Sequence, residues 1–435
     1  MATTHYEAVP SIAREDRPAR VGTIVMKFGG TSVADPERLK AVAARIVAAR
    51  EAGTRVVAVL SAMGKTTDEL IDLAHQVSPV PEPRELDMLI SVGERISVAL
   101  AAMAINDLGH EAISLTGSQA GIVTDTVHGK AKIVDIRCQR IHEALDLDKI
   151  VLVAGFQGVS TGKEITTLGR GGSDTTAVAL AVALGAEACE IYTDVDGVYT
   201  ADPRIVAEAR KLNAVTYEEM LEMSASGAKV MALRSVEFAR NYGVTLHVRS
   251  SFGDAEGTWI GEEDERMLEK AIISGVTHDT TEAKVTIIGV PDRPGIAARV
   301  FRPLADAGVN IDMIVQNVSE HGHATISFTM PKTDLPVAEP ILDETVRAVG
   351  GQAVLKDPDI AKVSLIGAGM KSHPGVAADM FDALAEAGIN LEIISTSSIR
   401  VSCVVRASEV ERAVQAIHDR FGLGEDDGSR ALTGA

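Results

Sequence analysis

The sequence is short of cysteine, of aromatic residues, of positive charge and of long apolar runs, and each shortage excludes something. Cys138, Cys189 and Cys403 are an odd number set far apart, with no Cys-x-x-Cys or Cys/His cluster. Neither a disulfide framework nor a zinc site is indicated, and a reducing compartment is expected. No run approaches about 18 uninterrupted apolar residues, and the opening "MATTHYEAVPSIAREDRPAR" has no apolar core of signal-peptide length. The expectation is a cytoplasmic chain with no membrane partner and a disordered extension over residues 1–22. Lys plus Arg number 42 against 61 Asp plus Glu, a formal charge of −19. A surface this acidic repels phosphate backbones, which argues against nucleic-acid partners. It also repels any free nucleotide, so a nucleotide site must gather cations and backbone N–H groups locally.

What is present is a long chain rich in small aliphatic residues: 435 residues, 46% hydrophobic and only 3% aromatic. At a prior of about 150 residues per domain, two or three domains are expected. Across 23–250, short β-branched runs ("TIVMKF", "RVVAVL", "KIVLVAGF", "CEIYTDV", "VTLHVR") alternate with Ala-rich amphipathic stretches, clearest over Pro36 to Ala52, Glu85 to Leu108, Asp174 to Leu184 and Ala228 to Asn241. That alternation predicts an α/β domain with a mainly parallel sheet between helix layers. A polar, Gly-containing stretch follows and reads as a linker over 251–282. Beyond it "KVTIIGVPDRPGIAARVFRPLADAGVNIDMIV" realigns with "KVSLIGAGMKSHPGVAADMFDALAEAGINLEII". Each copy reads as strand, Pro-Gly helix start, helix, Gly stop and strand, which predicts two α+β modules over 283–358 and 359–423 and a disordered tail over 424–435.

Two Gly-rich turns stand where strands meet helices. Lys27-Phe28-Gly29-Gly30-Thr31-Ser32 ends the first strand; adjacent glycines can form an anion-cradling nest, and Lys27 is placed to neutralise a transferring phosphoryl group. The plainer alternative is a strand-to-helix turn with a surface lysine. Leu168-Gly169-Arg170-Gly171-Gly172-Ser173-Asp174 again precedes a helix, with N–H groups at its positive end and an Arg fork suited to a carboxylate. A capped helix start would explain Ser173 and Asp174 but not an Arg flanked by glycines. Gly64-Lys65-Thr66 ends like a Walker A loop, but the required earlier glycine is Val59. It is not a P-loop, although Ser61 and Thr67 follow a strand at its C-terminal end, where open α/β sheets bind ligands. Glu94 and Arg95 interrupt an apolar helical face; a local surface ion pair is the competing reading. "YTDVDGVYTADPR" adds Asp194, Asp196, Tyr199, Asp202 and Arg204 after a strand, suited to an adenine, ribose or Mg²⁺ neighbourhood and without the spacing of a calcium loop.

Taken in order, "KFGGTS", "SAMGKTTDEL", "GERIS", "TLGRGGSD", "YTDVDGVYTADPR" and "SASGAKVM" resemble aspartate kinases, particularly the actinobacterial lysine-pathway type. The resemblance runs from about Ile24 to Leu423, and the tandem repeat is similar to that family's two ACT domains. It implies an amino acid kinase fold, with Lys27 and Asp174 as the catalytic pair. Aspartate would be held by Ser61, Thr67, Glu94, Arg170, Gly171, Gly172 and Ser173, with Glu94 on the ammonium and Arg170 on the α-carboxylate. ATP, with Mg²⁺ carried on it, would lie along Lys27, Phe28, Gly29, Gly30, Thr193, Asp194, Tyr199, Asp202, Arg204 and Lys229; no dedicated metal site is implied. Phe28 departs from the tyrosine common there.

A carboxylate with an ordinary pKa of about 3.9 is already ionised at pH 7, so such a kinase needs positioning and charge neutralisation rather than a general base. The rivals are a kinase of the same fold acting on glutamate, acetylglutamate, carbamate or a nucleotide monophosphate, and a non-catalytic amino-acid sensor. The Pro-Gly helix starts of the repeat can take an effector's α-carboxylate. Asp292, Pro294, Gly295, Ile296, Asn310, Gln316 and Asn317, with Pro374, Gly375 and Asn390, form the expected site for lysine, threonine or both. Oligomerisation through the ACT-like modules is expected as well.

Overall fold

The computed structural model describes residues 22–263, 273–318, 322–367, 370, 373 and 375–425. Nearly all of both expected disordered ends lies outside these residues. Two compact units emerge.

The first unit is built on an eight-stranded sheet in the order Ala214–Thr216, Thr258–Gly261, Leu246–Ser250, Ala188–Thr193, Thr23–Phe28, Arg55–Leu60, Ile150–Ala154 and Ala112–Leu115. Every neighbouring pair is parallel except Leu246–Ser250 with Thr258–Gly261. The central strands are apolar on both faces because helices cover both sides; Val56 to Leu60 and Ile150 to Ala154 are fully buried runs, as parallel strands require. Helix Pro36–Glu51 starts where the sequence predicts, with Asp35 accepting from the Arg38 N–H at 2.9 Å and Pro36 in the first turn. Helix Gly172–Leu184 is apolar on every side from Ala177 onward and buried from Gly172 to Val182. A second sheet of four short strands, Ile133–Ile136, Ile122–Thr124, Gln157–Ser160 and Ile165–Thr167, carries the chain to the start of that helix.

Three expectations are corrected. The helix expected over Glu85 to Leu108 is two, Pro83–Ile90 and Val92–Asp107, because the Gln157 side chain takes the Ser91 carbonyl at 2.7 Å. By length and composition Pro83–Asp107 could cross a membrane, yet half of its most apolar window is buried. The last helix of the unit begins at Leu233, not Ala228, after an extended Ala232. The linker expected over 251–282 holds two structural strands: Thr258–Gly261 belongs to the large sheet, and Gly275–Asp279 to a sheet of the second unit.

The second unit contains two four-stranded antiparallel sheets, each backed by two helices. One has the order Ile314–Val318, His323–Pro331, Glu282–Pro291, Ala353–Asp357; the other runs Gly275–Asp279, Ile360–Ile366, Arg400–Arg406, Ile393–Thr396. Since Gly275–Asp279 precedes the first repeat but pairs with the second, the first module is inserted within the second. Two stretches expected in the kinase region, Tyr199–Arg210 and Ala225–Ala228, also belong to this unit. Ala201 and Val206 are buried in the second module's core with Val363, Leu384 and Val414. The modules meet through Met313 and Val315 against Ile360, Ile393 and Val404. Lys284 pairs with Glu392, and fully buried Lys362 sits 2.8 Å from Glu282 and 2.5 Å from Asp312. Burial drives the Lys362 ammonium down, but the two carboxylates outweigh it and hold its pKa above the ordinary lysine value. An ion cluster of this kind is tolerated in an apolar core only when complete.

Candidate functional site

Adjacent parallel strands place their C-terminal ends side by side, so the loops after Thr23–Phe28, Arg55–Leu60, Ile150–Ala154 and Ala188–Thr193 share one rim of the sheet. Lys27 and Asp174 meet there. Lys27 Nζ lies 2.6 Å from Asp174 Oδ1, and the side chains are 12% and 11% exposed. Beyond this ion pair, no hydrogen-bond donor reaches Asp174 Oδ1 among the described residues. Lys27 is held in register between Val59 and Ile191, and Asp174 stands in the first turn of Gly172–Leu184, where the helix dipole favours a negative group.

Both glycine turns are close-packed as well as polar. A Cβ on Gly30 would sit 2.9 Å from the Ala62 carbonyl oxygen, so the first turn folds against the loop carrying Ser61. The Ser61 N–H donates to the Phe28 carbonyl at 3.1 Å, and the Phe28 ring stacks on Tyr192 at 4.7 Å. Gly171 has φ +73°, and a Cβ there would come within 2.3 Å of the Ala232 methyl, so only glycine fits. Ser173 is buried against Gly155. Gly172 packs on Phe156. Arg170, immediately before them in the chain, is exposed and has no ion-pair or hydrogen-bond partner among the described residues. Thr67 is half-buried in the first turn of helix Thr66–Val77.

Glu94 does not form the surface ion pair that competed for it. It is 3% exposed; Oε1 accepts from the Ala62 N–H at 3.2 Å, and Oε2 has no partner. Arg95 turns instead to Gln157 and Ser91. Burial pushes the Glu94 carboxyl up to about 7, opposed in part by the Glu94 and Ala62 N–H groups and by Arg95. The folded protein therefore binds a proton here that the unfolded chain releases above the ordinary carboxylate range. This contribution to stability is complete at low pH and is lost as pH rises to about 7. Glu94→Gln is expected to stabilise the ligand-free protein at pH 8, by on the order of 2 to 3 kcal/mol, and to leave it unchanged near pH 4. Thermal unfolding at the two pH values checks this; an equal shift at both would remove the titration as its cause.

The expected nucleotide residues are divided between the units. Phe28, Gly29, Gly30, Thr193, Asp194 and Lys229 belong to the first; Tyr199, Asp202 and Arg204 belong to the second. Thr193 ends its strand and donates to Asp194 at 3.2 Å, while Lys229 is exposed and unpaired among the described residues. Asp202 and Arg204 grip each other, with Nε to Oδ1 at 2.9 Å and Nη2 to Oδ2 at 2.6 Å. That fork, through its side-chain hydrogen bonds, holds the Asp202 carboxyl below its ordinary pKa.

Of the expected effector residues, Pro374 lies outside the described residues. Gly295 and Gly375 each precede a helix, Ile296–Asp306 and Val376–Glu386, in the left-handed conformation. Asp292, Asn310, Gln316, Asn317 and Asn390 are exposed, whereas Ile296 is buried in the first module's core. Gln316 and Asn317 lie on the edge strand Ile314–Val318. The polar contacts joining the modules pair Lys284 with Glu392, Arg406 with Asp357, and Lys362 with Glu282 and Asp312, none of which the sequence singled out. Charged residues on strands carry no local signal that they will be buried against a second module.

Residues 22–250 match the amino acid kinase family, and residues 284–349 and 363–421 each match an ACT domain. The aspartokinase of Mycolicibacterium smegmatis is 58% identical over 408 residues, covering 93% of this chain and 97% of that protein. E. coli aspartokinase III in complex with aspartate and ADP (R-state) is 26% identical, covers 92% of this chain and 99% of that one, and superposes with a TM-score of 0.78. The same enzyme with lysine and aspartate (T-state) gives 0.70 at the same identity and coverage.

Proposed function

The chain belongs to the aspartokinase branch of the amino acid kinase family, and from that premise we propose how its residues move the γ-phosphoryl group of ATP to the β-carboxylate of L-aspartate, giving 4-phospho-L-aspartate. The observation that carries the reading is the Lys27–Asp174 pair, set between two glycine turns at the C-terminal rim of a parallel sheet. Lys27 meets the charge that develops on the transferring phosphoryl oxygens, and Asp174 holds its ammonium in place. The substrate carboxylate is ionised at pH 7, so no base is assigned. Exposed Arg170, with no partner of its own, takes the α-carboxylate as a fork. The unpartnered Oε2 of Glu94 takes the ammonium, which returns the desolvation cost of burying that carboxylate. Ser61, Thr67 and Ser173 complete the aspartate site; Thr193, Asp194 and Lys229 are assigned to the nucleotide. Mg²⁺ travels with the nucleotide, needing only one or two carboxylates beside phosphates and water. The three buried free thiols suit a reducing cytoplasm. The test is ADP release with aspartate or glutamate as acceptor: aspartate alone should support turnover, and equal rates would return the reading to the rival kinases.

We assign the ACT modules to feedback inhibition by lysine, threonine or both, because a relative of the same architecture is described with lysine. Oligomerisation would use their edge strands, which leave Ile314 and Ile394 exposed. Inhibition requires the effector to favour one conformation, and a coupling of about 1 to 3 kcal/mol gives a 5- to 150-fold effect. Asp292→Ala or Asn317→Ala should raise the inhibitory concentration with the uninhibited kcat nearly unchanged. Initial rates against lysine and threonine, singly and mixed, check this; no response of either the native enzyme or the variants at millimolar effector would refute it.

A further inference from the structure

Behind the Arg170 turn lies a carboxylate to which no substrate or nucleotide role has been given. Asp87, on helix Pro83–Ile90, is 1% exposed, and two other stretches of chain converge on it. The Thr167 hydroxyl donates to Oδ1 at 2.6 Å and the Thr167 N–H to Oδ2 at 3.2 Å. The Gly129 N–H donates at 3.1 Å, and His128 Nδ1 lies 2.8 Å from Oδ2. A carboxylate this deep is costly without partners, and here its donors come from chain segments remote in sequence. A second clamp sits beside it. Arg234 donates to the Leu168 carbonyl at 3.2 Å and to the Ala131 carbonyl at 3.0 Å, and the Ala131 N–H donates to the Thr167 carbonyl at 2.9 Å.

The consequence concerns the residues that come next. Thr167 ends its strand, and Leu168, Gly169 and Arg170 follow at once. Because the Arg170 side chain has no partner among the described residues, the position of its guanidinium depends on where the backbone is pinned. We propose that Asp87 is a positioning residue of the aspartate site, anchoring Thr167 and the 128–131 turn so that Arg170 stands where the α-carboxylate must be met. This rests on the reading of Arg170 as the carboxylate fork. A fork displaced by a fraction of an ångström loses its bidentate grip, so the loss falls on aspartate and spares ATP.

Steady-state kinetics of the full-length enzyme test it, with Thr167→Val removing one hydroxyl at constant shape and Asp87→Asn weakening the whole cluster. Both should raise the KM for aspartate by roughly tenfold or more, since hydrogen bonds to a charged group are being removed. The KM for ATP should stay within about twofold. Thr167→Ser, which keeps the hydroxyl, should restore the native value. If Asp87→Asn fails to fold, Thr167→Val carries the test alone. A lowered melting temperature with an unchanged aspartate KM would make the cluster merely structural and overturn the inference, as would equal losses for both substrates. Arg170→Ala is run in parallel. If it raises the aspartate KM while Thr167→Val does not, the inference fails and the fork reading stands; if it leaves that KM unchanged, both fall.

Discussion

Lys27→Ala is expected to lower kcat by roughly 100-fold or more, because losing one preorganised charge donor costs about 3 to 4 kcal/mol of transition-state stabilisation. The side chain stands 2.6 Å from Asp174 at the end of a central strand, held between Val59 and Ile191. Its removal therefore leaves the sheet's own hydrogen bonds in place. Asp174 keeps some access to water, so the orphaned carboxylate does not have to unfold the protein. Initial rates at saturating aspartate and ATP give the effect, and circular dichroism establishes that the variant is folded. An unchanged kcat in a folded variant would remove Lys27 from the chemistry. Asp174→Asn should lower kcat as well, through loss of the lysine's orientation, and the double variant should be far from additive if the two act as one unit.

Arg170→Lys is the second large effect. A lysine keeps the charge but not the planar fork, and an ammonium on a flexible stem cannot reproduce two parallel N–H···O bonds. The KM for aspartate should rise by about ten- to a hundredfold, the scale of a lost charge-assisted hydrogen bond, while the KM for ATP moves little. Because Arg170 is exposed, the fold should tolerate the exchange. A rise confined to the KM for ATP would place the turn on the nucleotide instead.

Some residues were legible in the sequence because their signal is local. "TIVMKF" and "RVVAVL" are strands over those same residues, and the helix expected from Pro36 begins there, capped by Asp35. Runs of branched residues and caps act within a few positions, whatever the rest of the chain does. Glu94 shows where that legibility ends. A Glu followed by an Arg reads as a surface pair, and only the neighbouring Ala62 loop and the approach of Gln157 to Arg95 send the two side chains to different partners. Asp87 was missed for a related reason: one acidic residue in an amphipathic helix looks like solvated surface until Thr167, Gly129 and His128 arrive from elsewhere.

The sequence by itself determined the two architectures, their order and the family, because periodicity, glycine turns and an internal repeat are written in consecutive residues. Tertiary structure alone decided which unit each segment joins. Nothing local in "YTADPRIV" tells that Ala201 and Val206 will be buried with Val363 and Val414, or that Gly275–Asp279, sitting in an apparent linker, will complete the second module's sheet. Strand pairing and core membership are contests among distant apolar surfaces. Their outcome depends on which edge remains open and which face remains uncovered, and those are properties of the assembled chain.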